Sequence, residues 1–291
     1  MKRRKLFEGA VEKALFACAS VSILSVVFIT IFIFQRGLPL FARVNVLDFL
    51  FGTRWEPTAL PDPGYGILPF IVGSLMVTFG GLLLGVPLGL ACGVFLAEIA
   101  KGRTARAFRG TVELLAGIPS VIYGFFGVVV VCRLVRDVFG GTGYNVLSAS
   151  LILAVMILPT IITITESSLR AVPEDHREGS LALGATRWQT IARVLMPAAR
   201  SGIIAGIVLG VGRAIGETMA VLMVAGNAPI MPTGPLSKVR TLTMNVITDM
   251  GYAAGDHMTA LFTTSIVLFF FIMALNGAVM AITRRAMESK G

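Results

Sequence analysis

Histidine occurs only at His176 and His257, and cysteine only at Cys18, Cys92 and Cys132. Two histidines that far apart offer no metal-ligand spacing and no nucleophile with its base, which argues against a zinc site or an acyl-transfer enzyme. Three cysteines cannot pair completely within one chain. All three fall within or at the ends of apolar runs, so they are expected as small packing residues without a disulfide. No G-x-x-x-x-G-K-[ST] loop is present, which excludes the usual way of binding ATP. Charge is scarce as well. Asp, Glu, Lys and Arg make up 14% of the 291 residues, hydrophobic residues make up 55%, and mean hydropathy is +0.84, far above what a soluble core requires.

What the sequence does have is long apolar runs. Six candidate spans lie at roughly 14–34, 67–97, 112–132, 146–166, 202–226 and 260–283, each near the 20 or so residues that cross a bilayer as a helix. The expected class is an all-α integral membrane protein with six transmembrane helices. The run after "MKRRK" is longer than a signal-peptide core and lacks a small-residue cleavage site, so it is read as a retained helix. Seventeen of the 25 Lys and Arg fall at the two termini and in the segments around 101–109 and 170–200, seven fall on the other side, and Arg213 lies inside a span. That bias places both termini in the cytoplasm. The expected organisation is a first segment, 1–66, with one span and a Pro/Gly-rich outer loop; a core, 67–283, with five spans and a connecting loop at 170–201; and a tail, 284–291.

Three features carry more detail. Gly81, Gly85, Gly89 and Gly93 recur every four residues, as do Gly202, Gly206 and Gly210, so each set lies on one helix face where another backbone can approach closely. Packing within the chain and a seam to a second subunit are both open readings. The stretch "RAVPEDHREGSLALGATRWQTIARVLMPAARSG", Arg170 to Gly202, begins a helix after Pro173 with Glu174 and Asp175 at its positive end, then bends at Gly184 into a second helix. Periodicity alone leaves a helix lying on the lipid surface as an equal alternative. Finally, "GVGRAIGETMAV", Gly210 to Val221, puts Arg213 and Glu217 in an apolar span, where each charge costs about 2.5–3.5 kcal/mol to insert. On a continuous helix their four-residue spacing stacks them on one face. They are read either as a neutral pair that aids packing or as a pathway group, with Arg213 gripping an oxyanion and Glu217 steadying it. Thr218 is a further candidate, weakened because membrane threonines usually bond their own helix. Glu113 and Glu166, at span ends, are expected to be solvated, and Pro119 and Pro159 are candidate bends.

From Glu178, the loop pattern "EGS", three residues, Gly184, nine residues, "VLMP" resembles the EAA loop of ABC importer permeases, E-A-A, three residues, G, nine residues, I-x-L-P. Together with "ELLAGIPSVIYGFFG" and "GRAIGETMAV", it makes the chain similar, from about residue 65 onward, to the PstC-type permeases of bacterial phosphate-specific importers, within the type I ABC importer permease family. That resemblance implies a non-enzymatic permease subunit of the inner membrane that moves phosphate by alternating access. Glu178, Gly184, Ala185 and Pro197 would then contact the ATPase. The implied partners are a PstA-type permease, two copies of a cytoplasmic ATPase that bind ATP and Mg, and a periplasmic phosphate-binding protein. No cofactor or metal is expected in this chain, and no nucleic-acid contact. Another tetrahedral oxyanion such as molybdate or sulfate, an ion-driven secondary transporter and a membrane signalling scaffold are the competing readings.

Overall fold

A computed structural model describes residues 2–288. Of the tail expected at 284–291, residues 289–291 lie outside the described residues. Helix α1 (Lys2–Gly37) runs into a 3₁₀ turn, Leu38–Ala42, and then α2 (Val46–Phe51), which Asn45 caps by accepting from the Leu47 N–H. A two-residue antiparallel pair, β1 (Trp55–Glu56) and β2 (Gly64–Tyr65), precedes α3 (Leu68–Val94) and its terminal π turn, Phe95–Ile99. Next come α4 (Gly102–Gly117), α5 (Ser120–Phe126), a π turn at Gly127–Val131, α6 (Cys132–Phe139) and α7 (Val146–Arg170). The connecting loop holds α8 (Glu174–Ala182), α9 (Arg187–Thr190), a π turn at Ile191–Leu195 and α10 (Met196–Ala198). The chain then continues through α11 (Arg200–Gly216), α12 (Met219–Val224), α13 (Leu242–Met250) and α14 (Asp256–Glu288).

Four of the six expected spans are continuous apolar helical stretches, Val11–Ala42, Leu68–Ile99, Val146–Arg170 and Asp256–Ala278. The other two differ from expectation. The span expected at 112–132 is bent by 100° between α4 and α5, at Ile118–Pro119. Pro119 has no N–H to continue α4 and holds the residue before it extended, Ile118 having ψ 126°. The loop enters α11 through a 72° turn between Ala198 and Arg200, just before the span expected at 202–226, and that span is interrupted after Gly216. Pro159, by contrast, sits inside an unbroken α7.

Helix α7 is the axis of the molecule, and both glycine ladders face it. A Cβ at Gly85 would come within 2.7 Å of Ile157, one at Gly89 within 2.8 Å of Ile161, and one at Gly93 within 2.6 Å of Thr165. On the other side Gly202 abuts Ser168, while Gly206 and Gly210 approach Ile164 and Ile161. The ladders are therefore packing faces within the chain. Between them lies the main core, in which Ile152, Leu153, Met156, Ile157 and Ile161 of α7 are almost wholly buried.

A second core closes the end opposite the 170–201 loop. Leu40, Phe49 and Trp55 from the N-terminal segment pack with Ile67, Phe70, Leu242, Ala260 and Leu261. Asp249 of α13 is its polar centre. Trp55 Nε1 donates to Asp249 Oδ2 at 3.0 Å, Tyr252 Oη donates to Oδ1 at 2.6 Å, and Arg240 Nη1 donates to Oδ1 at 3.1 Å. His257 Nε2 stands 3.3 Å from Oδ2. His257 is thus buried against a carboxylate. Burial alone would raise the Asp249 pKa; the Tyr252 and Trp55 hydrogen bonds, the Arg240 charge and His257 together bring it below the ordinary carboxylate value. A depressed pKa means the ionised form stabilises the fold above the ordinary pKa, and that this stability is lost as pH falls through the lowered one. Asp249→Asn is expected to cost about 3 kcal/mol at pH 7 by leaving Arg240 buried without its charge partner. Thermal melts of the two proteins in detergent should differ across neutral pH and converge below the usual carboxylate range; a difference that persists there would contradict the ionic account.

Candidate functional site

Arg213 and Glu217 do not share a continuous helix, which corrects the stacked pair expected from their spacing. Helix α11 ends at Gly216, Glu217 is extended at φ −72° and ψ 125°, and α12 starts at Met219. The four-residue rule holds only while helical geometry lasts, and here the helix ends one residue before Glu217. Instead, Glu217 Oε1 accepts from the Ala220 N–H at 3.0 Å, satisfying a free donor in the first turn of α12 from the residue before its N-cap position, Thr218. Thr218 Oγ1 donates to the Gly216 carbonyl at 3.3 Å, as a membrane threonine was expected to do with its own backbone. Arg213 stays in the last turn of α11, where its charge suits the negative end of the helix dipole, and Nη1 makes a long contact of 3.5 Å to Thr160 Oγ1 of α7.

Among the described residues, one stripe of α11 is uncovered. Leu209 and Gly216 are exposed, Gly212 and Arg213 are half-buried between them, and nothing lies within 4 Å of where a Cβ would stand on Gly212 or Gly216. At 1.5 Å per residue, Arg213 lies about 20 Å along α11 from its start, well inside a hydrocarbon core about 30 Å thick. The bend at Pro119 is nearby, because α5 packs on α12, with Gly124 accepting Ala220 and Met223 against its backbone. Tyr123 Oη donates to the Leu115 carbonyl at 2.7 Å and so satisfies one of the groups that the bend frees. Gly117, at that bend, is also open on its Cβ side. Two interrupted helices meeting at membrane depth are tolerable only where the freed backbone is buried in protein or faces water. A half-buried guanidinium on an uncovered stripe fits the second case, and its planar fork suits paired hydrogen bonds to a tetrahedral oxyanion.

The 170–201 loop has the expected two helices and bend. Gly184 adopts φ +84°, a conformation that favours glycine, and the Gly184 and Ala185 N–H groups donate to Leu181 and Ser180 carbonyls. Thr186 and Gln189 cap α9 reciprocally. That T-x-x-Q box, "TRWQ", is a sequence signal for the second helix start. The loop presents an apolar tip, with Leu183 91% and Trp188 66% exposed, beside exposed Glu178 and Pro197 and half-buried Ala185. Ile191 and Leu195, from the same apolar pattern, turn inward and are buried.

Glu166, expected to be solvated at a span end, is instead enclosed by two arginines. Its side chain is only 12% exposed and accepts from Arg109 Nε at 2.7 Å and from Arg170 Nε at 3.0 Å. Arg170 also donates to the Leu96 carbonyl. This cluster ties α3, α4 and α7 together beside a cavity of about 370 Å³ that Glu113 and Thr163 also line. The Glu166–Arg170 half was readable as an i,i+4 pair; Arg109, 57 residues away, was not.

Residues 85–288 match the family of binding-protein-dependent transport system inner membrane components. The chain is 42% identical over 254 residues to the probable ABC transporter permease protein YqgH of Bacillus subtilis, covering 86% of this chain and 82% of that protein. It is 33% identical to the phosphate transport system permease protein PstC 1 of Mycobacterium tuberculosis, covering 84% and 83%, and 32% identical to PstC of Xylella fastidiosa, covering 80% and 77%. Two solved structures share the fold. A chain of the inward-facing MetNI methionine ABC transporter superposes with a TM-score of 0.57 at 23% identity, covering 76% of this chain and 94% of that one. A chain of a bacterial importer of the acidic polysaccharide alginate gives 0.64 at 14%, covering 93% and 96%.

Removing the Glu166 charge leaves Arg109 and Arg170, both partly exposed, facing each other, so Glu166→Gln is expected to cost about 1.5 kcal/mol, the worth of a hydrogen bond to a charged group. Glu113→Gln, which removes an exposed carboxylate, is expected to stay within about 0.5 kcal/mol. Equal thermal shifts for the two variants would contradict the paired role.

Proposed function

The chain belongs to the family of binding-protein-dependent transport system inner membrane components, and we propose that within it the chain is the phosphate-translocating permease subunit of an ATP-driven importer. It is a membrane transport component and not an enzyme. The observation that carries the reading is Arg213, a guanidinium held at membrane depth on the uncovered stripe beside two interrupted helices. The relatives named as phosphate transport permeases support phosphate as the oxyanion.

In this reading the loop and both termini are cytoplasmic, as the Lys and Arg bias favours, and the Asp249 core is periplasmic. The bare side of α11, together with the exposed Val121, Ile122, Phe125 and Phe126 of α5, faces a second, PstA-type permease, and the pathway runs along the seam. A periplasmic binding protein delivers phosphate. Two cytoplasmic ATPases, which bind ATP and Mg, engage the apolar loop tip around Leu183 and Trp188, with Glu178, Gly184, Ala185 and Pro197 in the contact. ATP-driven closure of the ATPases moves the loops and alternates access to the seam.

At the seam Arg213 donates to phosphate oxygens. Glu217 uses one carboxylate oxygen at the start of α12, and the second oxygen accepts a hydrogen bond from the P–O–H that phosphate still carries at neutral pH. Sulfate has no such proton, so the carboxylate would repel it. Thr218 orders the break and is not a ligand in this scheme.

The test is radiolabelled phosphate uptake at micromolar concentration in cells lacking the chain, restored with wild type or Arg213→Ala, with molybdate and sulfate as competitors. Loss of a charge-assisted contact worth about 2 kcal/mol predicts uptake about 30-fold lower in Arg213→Ala at normal assembly. Competitors should leave wild-type uptake unchanged. Full activity in the variant would remove Arg213 from the pathway, and competition by molybdate or sulfate would change the substrate.

A further inference from the structure

The two arms of the docking loop are held to the membrane helices by different means. The second arm is fixed by apolar burial: Ile191, Leu195 and Ala199 pack with Val94, Leu169, Val172 and Ile203, at the ends of α3, α7 and α11. The first arm, α8, buries no residue. Ser180 reaches Thr190 within the loop at 3.0 Å. The side chain that leaves the loop is Arg177, whose Nη2 donates to Glu98 Oε1 at 2.6 Å and whose Nε donates to Glu98 Oε2 at 3.2 Å. That is a two-toothed fork on one carboxylate, the geometry that resists both sliding and rotation.

Glu98 is built to receive it. Its side chain is 7% exposed, and it stands in the π turn that ends α3, closed by the Ala100 N–H donating to the Phe95 carbonyl. A π turn inserts one residue into helical spacing and re-aims the side chains after it. Glu174 also contacts Arg177, but it is 60% exposed and lies on α8 itself, three residues away, so it cannot carry force out of the loop.

We propose that Glu98 and Arg177 are positioning residues that form the mechanical link through which movement of α8 reaches α3. Because α3 lies along α7 on glycines, and α11 lies on the other side of α7, a pull at Glu98 is delivered to the packed helices that end at the Arg213 break. The proposal rests on the reading of the loop as the ATPase dock.

The experiment measures phosphate moved per ATP hydrolysed by the complete transporter in proteoliposomes with its binding protein, alongside ATPase co-purification. Glu98→Gln and Arg177→Gln are each expected to lower that ratio about tenfold while the ATPase still co-purifies. The double variant should be no worse than either single one, because both remove the same link. Glu174→Gln should lower the ratio less than Glu98→Gln. A merely structural role would reduce the amount of complex and leave the ratio intact. An unchanged ratio in both single variants with the ATPase bound, or losses that multiply in the double variant, would overturn the link alone. Failure of wild type to hold the ATPase through this loop would overturn the docking reading and the link with it. Should Glu98→Gln not assemble, Glu98→Asp keeps the charge and shortens the fork's reach, and the same fall in ratio is expected.

Discussion

The backbones of α3 and α11 come close to α7 because glycine stands wherever a Cβ would strike it. Any side chain at Gly85 or Gly93 would meet Ile157 or Thr165 below 3 Å, and Gly202 leaves even less room against Ser168. In lipid there is little hydrophobic drive between helices, so association rests on such close packing. Everything functional is positioned by it. The Glu166 cluster and the Glu98–Arg177 fork sit at one end of this three-helix unit, and the α11 break lies toward the other.

A membrane helix that stops early leaves backbone groups that lipid cannot satisfy. Here the remedies are local and partial. Glu217 satisfies a donor in the first turn of the new helix, Thr218 bonds the Gly216 carbonyl, and Tyr123 bonds the Leu115 carbonyl at the neighbouring bend. An unbroken apolar helix would cost less, and Arg213 adds a charge where charge is expensive. The arrangement makes physical sense as a polar surface for an anion in transit, with the fold's stability supplied elsewhere, by α7 and by the capped core around Asp249.

Much of this was legible in the residues. The glycine ladders, the helix after Pro173 and the bend at Gly184 all follow from local rules. The interruption at Glu217 was not, because a hydropathy window averages over two non-helical residues and an apolar run looks the same broken or whole. Gly216 and Pro119 were the only local hints. Glu98 and Arg177 are 79 residues apart, and Arg240 meets Asp249 alongside a tryptophan from the N-terminal segment. No periodicity brings such partners together. The solvated reading of Glu166 failed for the same reason, since burial is decided by distant elements.

The central claim is that the uncovered stripe of α11 meets water inside the assembled transporter. Its most direct measurement is thiol accessibility in a chain whose Cys18, Cys92 and Cys132 are replaced by alanine, with single cysteines at Gly212, Thr218 and, for comparison, the exposed Phe28 of α1. A membrane-impermeant, water-soluble thiol reagent should label positions 212 and 218 in an orientation that depends on ATP, and phosphate should slow it, while position 28 should stay unlabelled in lipid. Labelling at 212 and 218 no faster than at 28 would place the stripe in lipid and contradict the pathway.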